Sequence, residues 1–515
     1  MLPTTRLHLS VSPETAARLP RLGLVTRNRE GKTRRTRFRG TRYDTARLLL
    51  RKQGFGMELL TVGNGRVVQR TFTSRGVKVT DASPGMPDVG ALAEEADDPQ
   101  LRRRIARWRL VPVFHYVDFA EVVIGLAIGD SRVRMQIRRG ILSPAQSGRR
   151  KVPVAEVFLA LESGSPLALF DIAIAINEYQ GARITTREIP EAGYRLQRPV
   201  LDRDITKGAR PELSVDMSVL DAFRAVMSET LDHLLSNQEL LLASNPDAVH
   251  QTRVALRRIR AALRAFKAVL PYDKRKAFNG ELRWFQQRLG AARDWQVFRE
   301  DTIPKVSVVR QLPERGLERL RSVALGERRR ATREAIDVVG SRRYARLQMH
   351  MLRWLNALET DTASGGSGTS LLPFACRALE RARQDMLLDE RPLSRMTPDE
   401  LHTLRKRGKK ARYATEFFAP LWAESDHRLL LTQLRLIQEK LGETNDAVVA
   451  RQLLLTLHPG RLASPVDRII QDWSRETIRQ CLGAAQPHWR RFQRCPAFWK
   501  LAEPLPAPRS LPSAA

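Results

Sequence analysis

His250 is followed at +3, +7, +10 and +14 by Arg253, Arg257, Arg260 and Arg264. On an α-helix turning about 100° per residue, these five positions fall within an arc of roughly 80°. Guanidinium groups spaced one turn apart can donate hydrogen bonds to successive phosphates of a linear polyanion. The pattern returns 152 residues later as His402, Arg405, Lys409 and Arg412, with Glu416 where the first copy has Arg264. Arg258 and Lys410 follow the second cation of each row. The first tract, HQTRVALRRIRAALRAF (250–266), contains no acid, although like charges at i, i+4 cost a few tenths of a kcal/mol per pair. The plain alternative is a solvated face, since Arg and Lys are good helix formers.

The other side of the same helix carries Leu256, Ile259, Leu263 and Phe266, matched in the second copy by Gly408, Ala411, Thr415 and Phe418. Each stretch therefore reads as an amphipathic helix with an apolar back and a cationic stripe. The register continues without a gap, because LRWFQQRLGAARD (282–294) falls on LRLIQEKLGETND (434–446). That correspondence aligns Arg283 with Arg435, Gly290 with Gly442 and Asp294 with Asp446. A constant shift through both blocks indicates duplication. Asp294 and Asp446 are expected to pair with a stripe cation, with helix capping as the alternative. Gly290 and Gly442 are expected to permit close helix approach. His250 and His402 either donate to a phosphate or orient an arginine.

The 515-residue length predicts two to four domains. A net charge of +32 and a pI near 11.1 favour a polyanion or anionic surface as partner; both halves of the chain share the excess. Cys376, Cys481 and Cys495 lack metal-type spacing, and a reducing cytoplasm is the expected address. No leader pattern opens the sequence, and the longest apolar run, VVIGLAIG (122–129), is too short to span a bilayer. Over 1–205, RVVQRTF, RVRMQIRR and VAEVFLALE read as strands, residues 165–179 as a helix and AEEADDPQ (93–100) as a loop. From about 213 the chain reads as helical. TASGGSGTS (362–370) reads as a flexible linker between two arms.

The doubled H-x-x-R-x-x-x-R/K-R/K-x-R pattern, each copy followed by L-G-x-x-x-D, resembles the CHAD domain, the conserved histidine α-helical domain. The resemblance implies two pseudo-twofold-related four-helix bundles whose basic residues bind inorganic polyphosphate. It makes binding candidates of His250, Arg253, Arg257, Arg258, Arg260 and Arg264, with His402, Arg405, Lys409, Lys410 and Arg412. Arg283 and Arg435 are weaker candidates. The expected division is 213–360 and 372–500 for the two repeats, a linker over 361–371, and a disordered tail over 501–515.

The first 205 residues resemble a CYTH domain, the triphosphate tunnel fold. RLHLSVSPETAARLPRL, TRYDTARLLLRKQGFGM, RVRMQIRRG and EAGYRL stand in that family's order. The resemblance implies an antiparallel β-barrel whose carboxylates hold Mg²⁺ on a triphosphate. Here the opening E-x-E-x-K aligns with Thr4, Arg6 and His8, and the later E-x-E-x-E with Glu156, Phe158 and Ala160. Arg134 and Arg138 occupy further positions where relatives carry acids. The metal cage is therefore expected to be lost, with no catalytic residue, cofactor or metal.

The fold expected overall is α+β and multidomain, a CYTH-like barrel followed by an all-α CHAD domain. The leading functional reading is a non-enzymatic polyphosphate-binding protein, cytoplasmic and associated with polyphosphate granules, with no membrane contact. The alternatives are a metal-dependent inorganic triphosphatase and a nucleic-acid-binding protein. The last would bind only non-specifically, since the stripes lack interleaved aromatics for base stacking.

Overall fold

A computed structural model describes residues 5–96, 98–146, 151–197, 205–310, 314–358, 370–457 and 465–506. The chain divides into two compact units. One holds the N-terminal residues up to 204 together with Gly340–Ala357, and the other holds Ile205–Val339 and the residues from Leu358 onward.

The N-terminal unit is built on nine strands: β1 (Arg6–Ser10), β2 (Arg29–Thr45), β3 (Gly56–Val62), β4 (Val67–Thr73), β5 (Gly76–Asp81), β6 (Leu110–Ile128), β7 (Ser131–Pro144), β8 (Val152–Ser163) and β9 (Arg183–Ile184). They form one sheet in the order β5-β4-β3-β2-β6-β7-β8-β1-β9, with every neighbouring pair antiparallel. The expected barrel is not closed. Among the described residues no ladder joins β5 to β9, and β9 has only two residues with which to extend the sheet.

Strand alternation sets the two faces of this sheet. Leu60, Phe38, Tyr116 and Phe119 pack on one side with Tyr194 of the helix Ile189–Gln197. Met57, Leu59 and Tyr43 pack on the other with Leu92 and Ile105. Within β7, Val133, Met135 and Ile137 are buried, which leaves Arg134, Gln136 and Arg138 on the opposite face. The expected helix at 165–179 forms over Leu167–Gln180. The expected loop at 93–100 runs between two short helices, the second beginning at Pro99.

The helical unit repeats four rods. In the second repeat these are Leu371–Met386, Pro398–Phe418, Glu424–Leu457 and Pro465–Arg494. The first repeat matches them with Val219–Leu242, Pro246–Ala265, a third rod, and Glu314–Gly340. The third rod is broken into Tyr272–Arg288, Gly290–Val297 and Ile303–Arg310, with a π turn over Phe298–Thr302. The helix Arg342–Ala357, expected within the first repeat, instead packs against Leu167–Gln180 in the N-terminal unit. Arg353 seals that contact with two bonds to Asp171, at 2.6 and 3.2 Å.

Pro246–Ala265 and Pro398–Phe418, the first and second basic helices, start alike. Asn245 accepts from the backbone N–H groups of Asp247 and Ala248, and Thr397 forms a capping box with Glu400. Proline at the first turn and an acid beside it suit a helix N-terminus. The two helices pack against each other. Their last residues meet in an aromatic cluster: Phe266 lies 5.4 Å from each of Phe223, Phe374 and Phe418, centroid to centroid.

Two expectations about the chain ends change. The helical unit begins at 205 rather than 213, because Asn237 bonds both the N–H and the C=O of Thr206. The tail expected from 501 is ordered through 506. There Pro504 bridges Trp422, and the N–H of Leu505 donates to the carbonyl of Leu421. Most of the linker (361–369) and the rest of the tail (507–515) lie outside the described residues. Phe266 is fully buried, so Phe266→Ala should destabilise the helical unit by about 3–5 kcal/mol. Urea unfolding followed by helical circular dichroism checks this.

Candidate functional site

The contact between the two basic helices brings their stripes together. Arg253 and Arg257 from the first helix and Arg405, Lys409 and Arg412 from the second lie close enough to bear on one another's charge. Among the described residues, Arg257, Arg264 and Lys409 form no ion pair with a carboxylate. The Nε atoms of Arg257, Arg405 and Arg412 are buried without a hydrogen-bond partner.

Neutral acceptors hold several of these cations in place. Arg253 Nη1 donates to the carbonyl of Leu289 at 3.0 Å. Arg260 Nε donates to Asn279 Oδ1 at 2.9 Å, and its Nη1 donates to Gln286 Oε1. Arg405 Nη1 donates to Asn445 Oδ1 at 3.1 Å. Amide and carbonyl oxygens fix a guanidinium group without cancelling its charge, which leaves the charge for a ligand.

Crowding moves the titrations. Burial, then Arg257, Arg405, Arg253 and Arg412, lower Lys409 from its ordinary 10.5 to about 6. Burial, then Arg293, Arg257, Arg253 and His233, lower His250 to about 4. Burial lowers Arg253 to about 10 despite Asp294. Arg260, Arg405, Lys410 and His402 are also lowered, burial leading in each case. At neutral pH His250 is therefore an uncharged imidazole, able to orient or to donate one hydrogen bond but not to carry charge.

Other candidates divide. Arg264, Arg283 and Arg435 are exposed, and Arg264 and Arg283 both bear on Arg260. Arg412 is drawn to Glu416 at 3.3 Å and lies 4.9 Å over the ring of Tyr413, so the second stripe is partly neutralised at its end. Arg258 faces away from the stripe. It donates to Glu229 at 2.7 Å and to the carbonyl of Ala209 at 2.8 Å, and it sits 5.9 Å over the ring of Phe417. Its guanidinium is consumed inside the fold and leaves the binding set.

Asp294 and Asp446 act at a distance. They make no direct ion pair among the described residues, though Asp294 bears on Arg253 and Asp446 on Arg405; burial raises both carboxyls. Gly290 keeps room for Arg253, whose Nη1 would stand 3.2 Å from an added Cβ, whereas a Cβ added at Gly442 would point into open space. Arg293 was missed as a neighbour of His250 and Arg253. The repeat register carried the signal, because Arg293 falls on Asn445, the residue that holds Arg405.

A second candidate site is the face of the N-terminal sheet where metal-binding carboxylates would stand. Thr4 lies outside the described residues. Arg6 and His8 on β1 face Ala160 and Phe158 on β8, so the two altered motifs are direct neighbours. His8 stacks on Phe158 with centroids 4.1 Å apart. The surviving Glu156 lies 3.0 Å from His8 Nε2, accepts from the backbone N–H of Ile189, and has Arg138 at 3.6 Å. Arg138 also donates to Glu121 at 2.9 Å. Glu58 is taken up by Arg42 and the hydroxyl of Tyr116. These residues do not fit a Mg²⁺ site. Arg138 stands where the CYTH resemblance implies an acid and His8 where it implies a lysine; both pair with the carboxylates that remain, while Glu156 Oε1 is buried without a hydrogen-bond partner.

Residues 225–455 match the CHAD domain family. This chain carries a CHAD domain. Two uncharacterized proteins from two strains of Mycobacterium tuberculosis are each 29% identical to it over 242 residues, 46% of this chain and 45% of theirs. The aligned part thus spans under half the length of these relatives. The crystal structure of the CHAD domain from the plant Ricinus communis is 27% identical, covering 59% of this chain and 99% of that one, with a TM-score of 0.45. A Bacillus halodurans protein described as an adenylate cyclase is 11% identical over 36% of this chain and 95% of its own, with a TM-score of 0.23. The N-terminal unit is CYTH-like in its large antiparallel sheet. The CHAD match includes Arg342–Ala357, the helix that packs in the N-terminal unit.

Two stability outcomes follow from the site. Arg258→Ala strands a largely buried Glu229 and should lower stability by about 3–5 kcal/mol, whereas Arg257→Ala removes repulsion and should leave stability unchanged or higher; urea unfolding distinguishes them. Lys409 and His250 titrate below their ordinary values when folded, so the unfolded chain binds more protons in between. Stability therefore rises with pH, through about 6 to 10.5 for Lys409 and about 4 to 6.5 for His250. Lys409→Met should flatten the rise measured between pH 6 and 9.

Proposed function

We propose that this protein binds inorganic polyphosphate along its paired basic helices and does not turn it over. The observation that carries the reading is the meeting of Arg253, Arg257, Arg405 and Lys409 from two packed helices, with no carboxylate in ion-pair contact among the described residues. A chain of phosphates supplies many closely spaced anions to such a surface, and one chain engaging both stripes gains from effective concentration. The pairing of Glu156 with His8, Glu121 with Arg138 and Glu58 with Arg42 in the N-terminal sheet supports a role without metal-dependent hydrolysis there. Among the described residues no three His, Cys, Asp or Glu side chains gather to hold a metal, and no helix is long and apolar enough to cross a membrane. Tyr413, the aromatic nearest the second stripe, is buried, which favours non-specific contact with nucleic acid over base stacking. The expected setting is the surface of a cytoplasmic polyphosphate granule.

Arg257→Glu with Arg260→Glu should weaken binding of long-chain polyphosphate by about a hundredfold or more, since each charge-assisted contact contributes roughly 1.5–3 kcal/mol. Lys409→Glu with Arg412→Glu should weaken it less, because Glu416 already neutralises part of that stripe. Titrations at several salt concentrations, with affinity falling steeply as salt rises, check the reading. Unchanged affinity in both folded variants would reduce the stripes to solvated faces. Incubation with triphosphate and Mg²⁺ or Mn²⁺ should release no phosphate. Release that disappears in Glu156→Ala would favour the triphosphatase reading.

A further inference from the structure

Lys409 stands in a setting unlike that of an ordinary surface lysine. It is half-buried. On its own helix Lys409 lies one turn from Arg405 and from Arg412, and the first basic helix, which brings Arg253 and Arg257, packs against it. The surrounding acids act on other groups: Asp294 on Arg253 and Arg405, Asp446 on Arg405, Asp385 on Lys410, and Glu416 on Arg412, with which it pairs. His250 is a neutral neighbour of the same cluster, crowded by Arg253, Arg257 and Arg293.

Five cationic positions packed this closely repel strongly in a partly dry site. Four of them are arginines, which do not release a proton in proteins. The ammonium of Lys409 is the one group of the five that can relieve the repulsion by giving its proton to solvent. A phosphate chain laid across the helices reverses the balance. Its oxygens neutralise the arginines and offer Lys409 a charge-assisted hydrogen bond, which only the ammonium form can donate.

We propose that polyanion binding at the paired stripes is coupled to protonation of Lys409, so that the empty site holds a neutral amine and the occupied site an ammonium ion. The proton comes from solvent, and one is taken up per occupied site. This rests on the polyphosphate reading above and adds a regulation to it: affinity strengthens as pH falls toward neutrality. The lowered titration of Lys409, at about 6, agrees with the geometry.

The test is calorimetric titration of the full chain with long-chain polyphosphate, whose titrating end groups are few. It is run at pH 6.5, 7.5 and 8.5 in two buffers of different protonation enthalpy. At pH 8.5 His250 is neutral both in the unfolded chain and in the empty site, so proton uptake there reports mainly on Lys409. The wild-type chain should take up close to one proton per site, and its affinity should fall by up to about tenfold per pH unit, the slope for one linked proton. Lys409→Arg keeps the cation but cannot release it. Uptake should vanish in that variant, its affinity should stay flat with pH, and at pH 8.5 it should bind more tightly than wild type. Lys409→Met, a second variant without a titrating group, should also show no uptake, and should bind more weakly than wild type at pH 6.5. Wild-type binding without proton uptake, or uptake that persists in Lys409→Arg, would overturn the coupling alone. Absence of binding at pH 6.5 in the folded wild-type chain would overturn the polyphosphate reading with it.

Discussion

The contact between Phe266 and Phe418 joins two helices whose other faces repel. Both rings are fully buried, and Phe223 and Phe374 close around them. Apolar burial of this kind contributes kilocalories per side chain, against a few tenths for each exposed like-charge pair. The apolar backs of the basic helices therefore fix where the cationic fronts lie. The neighbouring Arg258, held by Glu229 and lying over Phe417, strengthens the same joint. A residue from the charged tract thus serves the packing.

The two units handle charge in opposite ways. In the helical unit, Asn279, Gln286, Asn445 and the carbonyl of Leu289 position guanidinium groups while leaving their charge intact. In the N-terminal sheet, the carboxylates of Glu58, Glu121 and Glu156 each meet an arginine, and Glu156 also meets His8. A surface of unbalanced cations is suited to an anionic ligand. On the sheet the carboxylates already have cationic neighbours, Arg138 being shared by Glu121 and Glu156, and only Glu156 Oε1 of the three glutamates is buried without a hydrogen-bond partner. Arg138, at a position where the CYTH resemblance implies an acid, pairs with two of the carboxylates present.

The helix Arg342–Ala357 ties sequence regions that domain boundaries would separate. It lies between two rods of the helical repeat in the chain, yet it packs on Leu167–Gln180 and β9 of the N-terminal unit. Its ordinary amphipathic pattern gives no hint of which partner it covers, because any apolar face of similar width would satisfy it. The N-terminal unit is completed by a segment far along the chain.

Much of this protein was legible in residue order. Helical periodicity and the 152-residue register required two equivalent amphipathic helices with cations on one side, since side-chain direction on a helix follows from spacing alone. Strand alternation foretold β7 and β8, but that His8 and Phe158, read in two separate motifs, form a cross-strand pair came only with the sheet register. Tertiary structure decided which cations remain available. Arg258 and Arg257 are adjacent in sequence and chemically identical, but one turns inward to Glu229 and the other stays unpaired, because 100° of helix rotation separates packing from exposure. Glu416 could be seen to shorten the second stripe, but its bond to Arg412 required a rotamer. The lowered titration of Lys409 comes from burial and then from arginines, two of them on a helix 152 residues away in sequence that packing brings near. The open sheet where a closed barrel was expected, the helix donated to it, and the amides that hold the arginines were likewise set by packing between distant segments, which local spacing does not encode.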